Sequence, residues 1–220
     1  MKKTILILSA IFVASFSFAQ MPDKFVKAMG ANIARIDTAK TAQDWIDITA
    51  AFERIAEAEK NQWLPYYYVA LGNVMSGTMS LGDNMYGNNM DKTDPKADAA
   101  EKALNKAISL SKETSETWVV KKMIISLRML GDVMSRAMSA MPEATAALDN
   151  AKKLDANNPR IYILEGQDKY YTPEQYGGSK DEAKVLFEKA QKLFETFKPE
   201  TSIHPNWGKN QIAYFLSLYK

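Results

Sequence analysis

The sequence predicts an all-α protein, and three observations support that fold class. Apolar residues recur at intervals of three and four along most of the chain, which places them on one face of a helix. Beyond the first twenty residues, no segment keeps the apolar–polar alternation of a half-buried strand. Prolines directly after a capping residue, as at Asn158-Pro159, mark helix starts, because a proline loses no hydrogen bond there.

The first 19 residues have the pattern of a secretory signal peptide. Two lysines precede a short apolar run over 5–18, and Ser17 and Ala19 stand at the −3 and −1 positions of a cut before Gln20. The run is shorter than the roughly 20 apolar residues that a membrane-spanning helix needs. We therefore expect cleavage; the alternative is an N-terminal anchor that stays uncut.

The cysteine content and the signal ending predict a compartment. The chain has no cysteine, so it forms no disulfide, offers no thiolate to a metal and has no site for a lipid after the cut. No second long apolar run follows, so we expect no membrane insertion of the mature chain. The ending SFSFAQ resembles that of secreted proteins from Bacteroidetes-type bacteria, and this resemblance implies a periplasmic protein that is not a lipoprotein.

The charge balance argues against nucleic acid as a partner. The chain has 28 Lys+Arg against 26 Asp+Glu, and removal of Lys2 and Lys3 leaves 26 against 26. Proteins that bind nucleic acid generally need a basic surplus to displace counterions from phosphates. Here both signs are interspersed along helical patterns, as on a solvated surface.

Nine helices are predicted from the period, the capping residues and the prolines. Asp94 and Asn158 each stand before a proline and cap a helix start, and Pro142 starts another helix without a cap. Ser179 with Glu182 forms an S-x-x-E capping box at the start of the clearest helix. The predicted helices are 22–37, 41–59, 64–81, 96–112, 115–139, 143–154, 159–170, 179–197 and 206–219.

A spaced triplet recurs in the second helix of each predicted pair. Its small central residue lets a partner helix approach closely, while the large residues fill the gap between neighbours. The copies are Leu104-x-x-Ala107-x-x-Leu110, Leu148-x-x-Ala151-x-x-Leu154 and Phe187-x-x-Ala190-x-x-Leu193, with a weaker Phe52-x-x-Ile55-x-x-Ala58. One helix pair cannot bury its apolar face alone, so the pattern favours stacked helical repeats.

This pattern resembles the tetratricopeptide repeat (TPR). The second-helix motif A-x-x-x-[FLY]-x-x-A-x-x-L runs from Ala183 to Leu193, and LDANNP at 154–159 matches the turn between repeats, with Ala in place of its first Pro. The aromatic and L-G signature of the first helix is present in Tyr68 and Leu71-Gly72.

The resemblance covers roughly residues 41–197. It implies a TPR-like α-solenoid of about four helix pairs and a C-terminal capping helix, in a single domain over 20–220. The chain departs from the regular repeat at the insertions 82–95 and 171–178 and at the long helix 115–139. We expect the groove to depart from even curvature at these places.

A TPR-like fold implies a concave face that binds a peptide or a protein segment. Amphipathic rings dominate the binding energy of such grooves, which favours tyrosines as contact residues. If the repeat register holds, the residues that face this groove are Tyr66, Asn73, Arg160, Gln167 and Tyr170. The prediction is a periplasmic, non-enzymatic adaptor whose partner is a protein or peptide.

The sequence predicts neither a catalytic site nor a cofactor. His204 is the one histidine, and no cysteine is present, so the usual pairing of a nucleophile with an oriented base has few candidates. No glycine-rich loop follows a strand to cradle a phosphate, because no strands are predicted.

The alternative function is a small-ligand or metal-handling protein associated with an envelope transport system. The segment 82–95 is rich in Asp and Asn but lacks the spacing that wraps one calcium ion. Thioethers are soft ligands suited to Cu(I), but methionine also fills irregular gaps between packed helices. We therefore expect core packing and no metal site. The methionines at helical spacing are Met75 and Met79, and Met134, Met138 and Met141.

Signal cleavage can be tested by mass spectrometry of the protein from a periplasmic extract of a Gram-negative host. The N-terminus should be Gln20, because the small residues at −3 and −1 direct the cut there. Recovery of intact Met1 from the cytosol would contradict both the cleavage and the predicted compartment.

Overall fold

The computed structural model describes residues 22–85 and 87–219, and the predicted signal peptide lies outside this part of the chain. Within it the backbone forms nine α-helices, one short 3-10 helix (Glu174–Tyr176) and no strand, which confirms the all-α prediction. None of these helices is both long and apolar enough to cross a membrane. The helices are α1 (Asp23–Ile36), α2 (Ala42–Ala58), α3 (Trp63–Met79), α4 (Met90–Leu110), α5 (Ser115–Gly131), α6 (Val133–Leu154), α7 (Pro159–Tyr171), α8 (Lys180–Thr196) and α9 (Lys209–Ser217).

Consecutive helices pack against one another along the chain, most extensively from α2 through α6 and between α7 and α8. One large core contains buried residues of all nine helices, such as Phe25, Tyr67 and Ile161. At the C-terminal end α9 closes against α8, where the rings of Phe187 and Phe215 stack with centroids 4.5 Å apart. The architecture is therefore a stack of helix pairs with a terminal helix.

The spaced triplets lie on buried helix faces. Their first two members are buried in α4, α6 and α8, whereas the third lies at the edge of the face, and Leu154 is 53% exposed. The buried central alanines let neighbouring helices approach closely, as the pattern predicts. The buried members are Leu104 and Ala107, Leu148 and Ala151, and Phe187 and Ala190.

Two of the predicted helix starts are confirmed at the level of single hydrogen bonds. The Asn158 side chain accepts a hydrogen bond from the backbone N–H of Arg160 at 3.0 Å, and Pro159 is the first residue of α7. The Ser179 hydroxyl accepts from the backbone N–H of Glu182 at 3.1 Å and caps α8. Each side chain replaces a partner that the first turn of a helix lacks.

Two prolines predicted to start helices lie inside them instead. α4 begins at Met90, ahead of Pro95, and α6 runs through Pro142. The break between α5 and α6 is at Asp132, whose side chain accepts a hydrogen bond from the backbone N–H of Ser135 at 3.2 Å. That cap, the ion pair between Arg136 and Asp94, and the packing of α6 beyond Pro142 outweigh the one backbone hydrogen bond that the proline cannot make.

The early start of α4 follows from the buried residue Asn89. Its backbone N–H donates to the carbonyl of Gly131 at 2.7 Å, and its side-chain amide donates to the carbonyl of Asn84 at 2.7 Å. The Asn89 carbonyl then accepts from the backbone N–H of Thr93 at 2.9 Å. This contact with the end of α5 makes the second half of the predicted insertion 82–95 helical.

Two helical glycines provide a matched test of packing. A Cβ at Gly166 of α7 would lie 2.5 Å from Cε1 of the buried Phe187, whereas a Cβ at Gly30 of α1 meets no atom within 4 Å. We expect Gly166→Ala to lower the free energy of unfolding by about 1–3 kcal/mol through overpacking. Gly30→Ala should raise it by about 0.5–1 kcal/mol, because alanine loses less backbone entropy in a helix. Urea denaturation measures both changes, and equal effects would contradict the close packing of α7 on α8.

Candidate functional site

A groove between α4, α5 and α6 encloses a cavity of about 480 Å³. Aliphatic side chains of α4 and α5 form its floor, whereas most of its other lining residues are polar or charged. The volume falls within the roughly 300–1,000 Å³ that is usual for small-molecule sites. The apolar residues of the floor are Leu104, Ile108, Ile124, Ile125 and Met129.

An ion pair joins α6 to α4 at one side of this groove. The guanidinium of Arg136 donates to both carboxylate oxygens of Asp94, at 2.6 and 2.9 Å. It also donates to the backbone carbonyl of Arg128 at 2.8 Å. The hydrogen bonds from Arg136 are the largest reason that the pKa of Asp94 is below its usual value. The pair is therefore ionised at neutral pH.

Further charges complete the rim of the groove. Arg128 pairs with Asp98 at 2.7 Å and with Glu101 at 2.6 Å, and its side chain keeps 34% of its surface exposed. The ammonium of Lys121 lies 4.7 Å from the ring centroid of Trp118, a contact that does not use its N–H donors. The groove thus combines aliphatic side chains with partly exposed charges of both signs.

A second, smaller cavity of about 120 Å³ lies between α3, the turn after α1 and the segment 207–211. Its walls include Trp45, Met75 and Trp207. Trp45 and Gln211 both line this cavity, and the indole N–H of the first and the side-chain carbonyl of the second are buried without a protein partner.

None of the five residues predicted to face a peptide groove lines the α4–α6 groove. Asn73 is buried, and its side chain donates to the carbonyl of Val69 at 3.0 Å. Arg160 is also buried. The expectation that these two side chains face an open groove is therefore wrong, because packing against the adjoining helices covers them.

The other three predicted residues are partly buried. The Tyr66 hydroxyl donates to the carbonyl of Ala56 at 3.1 Å. The Tyr170 ring packs edge-on against Phe215, with centroids 5.5 Å apart. Gln167 lies on α7 and is partly exposed. Peptide binding by these residues stays a prediction.

Arg160 belongs to a buried polar network instead. Its Nε donates to both carboxylate oxygens of Glu116 on α5, at 2.9 and 3.0 Å, and its Nη1 donates to the carbonyl of Trp207 at 3.2 Å. The guanidinium also lies over the ring of Phe197, 4.6 Å from its centroid. Burial alone would lower the pKa of Arg160, but the Glu116 carboxylate more than offsets this and raises it.

Tyr67 extends the network to α3. Its hydroxyl donates to Glu116 at 3.0 Å and accepts from the indole N–H of Trp207 at 2.9 Å. Burial, followed by the nearby Glu116 carboxylate, raises the pKa of Tyr67 well above its usual value. The phenol therefore keeps the proton that it donates.

His204 contacts neighbouring side chains of the same chain. Its Nδ1 lies 2.7 Å from the Thr201 hydroxyl, and its ring packs edge-on against Trp63 with centroids 5.6 Å apart. Burial lowers the pKa of His204, so the neutral imidazole predominates at pH 7.

Three methionines on α6 are exposed to solvent. Met134 and Met138 are 92% and 93% exposed, and Met141 is 42% exposed. The expectation that these methionines fill gaps in the core is therefore wrong, because gap filling requires burial.

Sequence reasoning missed the α4–α6 groove because of the misplaced helix break. Arg136, Ala140 and Glu143 line the groove from α6 at the i, i+4 and i+7 spacing of one helix face. The predicted break before Pro142 divides that face between two elements. The helical periodicity continues across Pro142, and this pattern could have predicted the groove-lining face of α6.

Comparison with known proteins adds one structural similarity. Models of known protein families and the curated protein sequences give no match to this chain. The HusA haemophore from Porphyromonas gingivalis has a similar structure, with a TM-score of 0.75. The alignment covers 91% of this chain and 95% of HusA, at 28% sequence identity. The similarity therefore extends over nearly the whole of both chains.

The buried network predicts a large difference between two arginine substitutions. Arg160→Met should lower the free energy of unfolding by about 3–5 kcal/mol, because it leaves the Glu116 carboxylate without its buried partner. Arg128→Met removes two partly exposed pairs, with Asp98 and Glu101, and should cost at most about 1–2 kcal/mol. Thermal and urea unfolding measure both values. Comparable, small losses in the two variants would contradict a large contribution of the buried Arg160–Glu116 pair to stability.

Proposed function

We propose that the protein binds haem or a related porphyrin in the α4–α6 groove. The observation that carries this proposal is the similarity to the HusA haemophore over 91% of the chain. It favours a small-ligand function over the peptide adaptor. The burial of Arg160 and Asn73 also weakens the adaptor, because two of its five proposed contact residues have no accessible side chain.

The groove has the chemistry that a porphyrin needs. The macrocycle is flat and apolar and would lie against the floor formed by residues such as Leu104, Ile124 and Ile125. Apolar burial contributes roughly 25 cal/mol per Å² removed from water, so the macrocycle would supply most of the affinity. Its two propionates would lie at the rim, where Arg128, Arg136 and Lys121 can donate hydrogen bonds.

Iron ligation is a secondary contribution in this proposal. Haem iron in proteins is held by His, Cys, Met or Tyr side chains, and Met129 is the one residue of these types that lines the groove. A single thioether is a weak anchor compared with the buried area of the ring. The groove would therefore accept the iron-free porphyrin as well as haem.

The remaining features of the proposal concern the scaffold. We propose that the helix pairs are TPR-like, since the buried alanines of the spaced triplets occupy the close-packing positions of that repeat. We propose further that the protein is a non-enzymatic binding protein of the periplasm, as the N-terminal pattern predicts.

Absorbance and fluorescence titration with haemin and with protoporphyrin IX tests the ligand and its site together. Ser139 is an exposed residue of α6 that lines the groove, so Ser139→Trp places an indole in the space meant for the macrocycle. We expect this variant to weaken the binding of both compounds about tenfold or more. The matched control is Thr145→Trp, an exposed change further along α6 at a residue outside the lining of the groove. It should alter affinity less than about twofold, and circular dichroism should show both variants folded.

Two outcomes would contradict the proposal. Failure of the wild-type protein to bind either compound would exclude the porphyrin function. Equal binding by wild type and Ser139→Trp would place the ligand elsewhere and exclude the groove.

A further inference from the structure

The first helices of three successive pairs lie side by side. α3 packs directly on α5. α5 is joined to α7 by the pair of Glu116 with Arg160 and by Lys122, whose ammonium lies 2.6 Å from Asp168. In the TPR-like arrangement proposed above, a row of first helices is the concave surface that such stacks use for binding. The row of α3, α5 and α7 is therefore the surface on which a peptide ligand would lie.

A segment of the same chain lies on this row. Residues 197–208, here called the strap, connect α8 to α9 and contain no helix. The Tyr68 hydroxyl of α3 donates to the Ile203 carbonyl at 3.0 Å. Further along the strap, the Trp207 carbonyl accepts from the guanidinium of Arg160 on α7 at 3.2 Å. The strap thus bridges the two outer helices of the row.

The side chains in the second half of the strap alternate between the row and solvent. Ile203, Pro205 and Trp207 are buried, whereas Asn206 is exposed and His204 is only partly buried. Extended peptides that bind in grooves use the same alternation, because every second side chain enters a pocket and gives specificity. The strap therefore contacts the row in the manner of a bound peptide.

Trp207 is the principal anchor of the strap. Its indole N–H donates to the Tyr67 hydroxyl at 2.9 Å, so both its backbone and its side chain bond to the row. The next residue, Gly208, has a φ of +113°, and a Cβ there would lie 2.7 Å from Cδ1 of Ile163 on α7. Buried tryptophans contribute a large share of the binding energy in peptide and protein interfaces.

We propose that the strap is an intramolecular peptide ligand, which occupies the α3–α5–α7 row and excludes peptides of other proteins from it. The row accepts an extended segment with an aliphatic residue and, four positions later, a tryptophan, because the strap buries these two side chains there. A tethered segment acts at an effective concentration on the order of mM, so a free peptide at much lower concentration does not displace it. Occupancy by the strap also explains why Arg160 is buried.

This proposal is independent of porphyrin binding. The α4–α6 groove is lined by no residue of the strap and by none of the residues that hold it, such as Tyr67, Tyr68 and Arg160. Either proposal can therefore fail without the other.

Fluorescence anisotropy with a labelled synthetic peptide of residues 198–209 tests the occupancy in the full-length protein. The wild-type protein should bind this peptide weakly, because its own strap competes for the row. The combined substitution Ile203→Ala and Trp207→Ala removes the two anchors of the strap but leaves every side chain of the row in place. This variant should bind the native peptide at least tenfold more tightly than the wild type does.

Controls separate release of the strap from general loosening of the fold. Asn206→Ala changes an exposed residue of the strap and should leave the weak binding by the wild type unchanged. A peptide with alanine at both anchor positions should bind the double variant at least tenfold more weakly than the native peptide. Circular dichroism checks that the variants stay helical. If the double variant does not, Ile203→Ala alone replaces it, since the hydrogen bonds of Trp207 remain, and at least threefold tighter binding is then expected.

Two results would overturn the proposal. One is a folded variant that binds the native peptide no more tightly than the wild type does. The other is equal binding of the native and the alanine-substituted peptide, because the two anchors would then not determine what the row accepts.

Discussion

The buried ion pair between Arg160 and Glu116 constrains the rest of the structure. Arg160 has no exposed side-chain surface, so its charge is stable only with a complete set of partners. Arg160 lies on α7, and its partners come from α5 through Glu116 and from the segment before α9 through the Trp207 carbonyl, while Tyr67 connects the pair to α3. Loss of any one contact leaves a charge or a polar group unsatisfied. The pair therefore fixes four parts of the chain in one relative position.

α5 transmits this constraint to the candidate site. One side of the helix is tied to α7 by Glu116 and by Lys122, whose ammonium lies 2.6 Å from Asp168 and is almost wholly buried. With that side fixed, Ile124 and Arg128 must face α4 and α6, where they line the groove. The groove is thus a consequence of the polar contacts on the other side of α5. Its shape is built before a ligand arrives, which reduces the ordering cost of binding.

Helical periodicity and capping residues predicted much of the fold. The features that they did not predict depend on contacts between residues that are distant in sequence. The caps at Asn158 and Ser179 depend on residues two or three positions away, so periodicity and capping patterns locate α7 and α8 closely. The path of α6 through Pro142 depends instead on packing, which outweighs the local penalty of a proline. Likewise, the burial of Arg160 depends on Glu116, which is distant in sequence, and no local pattern reveals that pairing. The groove combines residues of three helices and could not be predicted from any one of them.

The charges of the groove indicate how a ligand would be held. Four carboxylates line it (Asp94, Glu101, Glu113 and Glu143), against the cations of Lys121, Arg128 and Arg136. Both arginines already pair with protein carboxylates, so a ligand carboxylate must share them rather than neutralise free cations. Partly exposed pairs contribute only about 0–1 kcal/mol and are screened by salt. Attraction between charges therefore cannot dominate the affinity, and burial of the ligand's own apolar surface would have to contribute the larger part. In the proposed complex the charged rim would set the orientation of the ligand, with its apolar body inwards and its carboxylates at the surface.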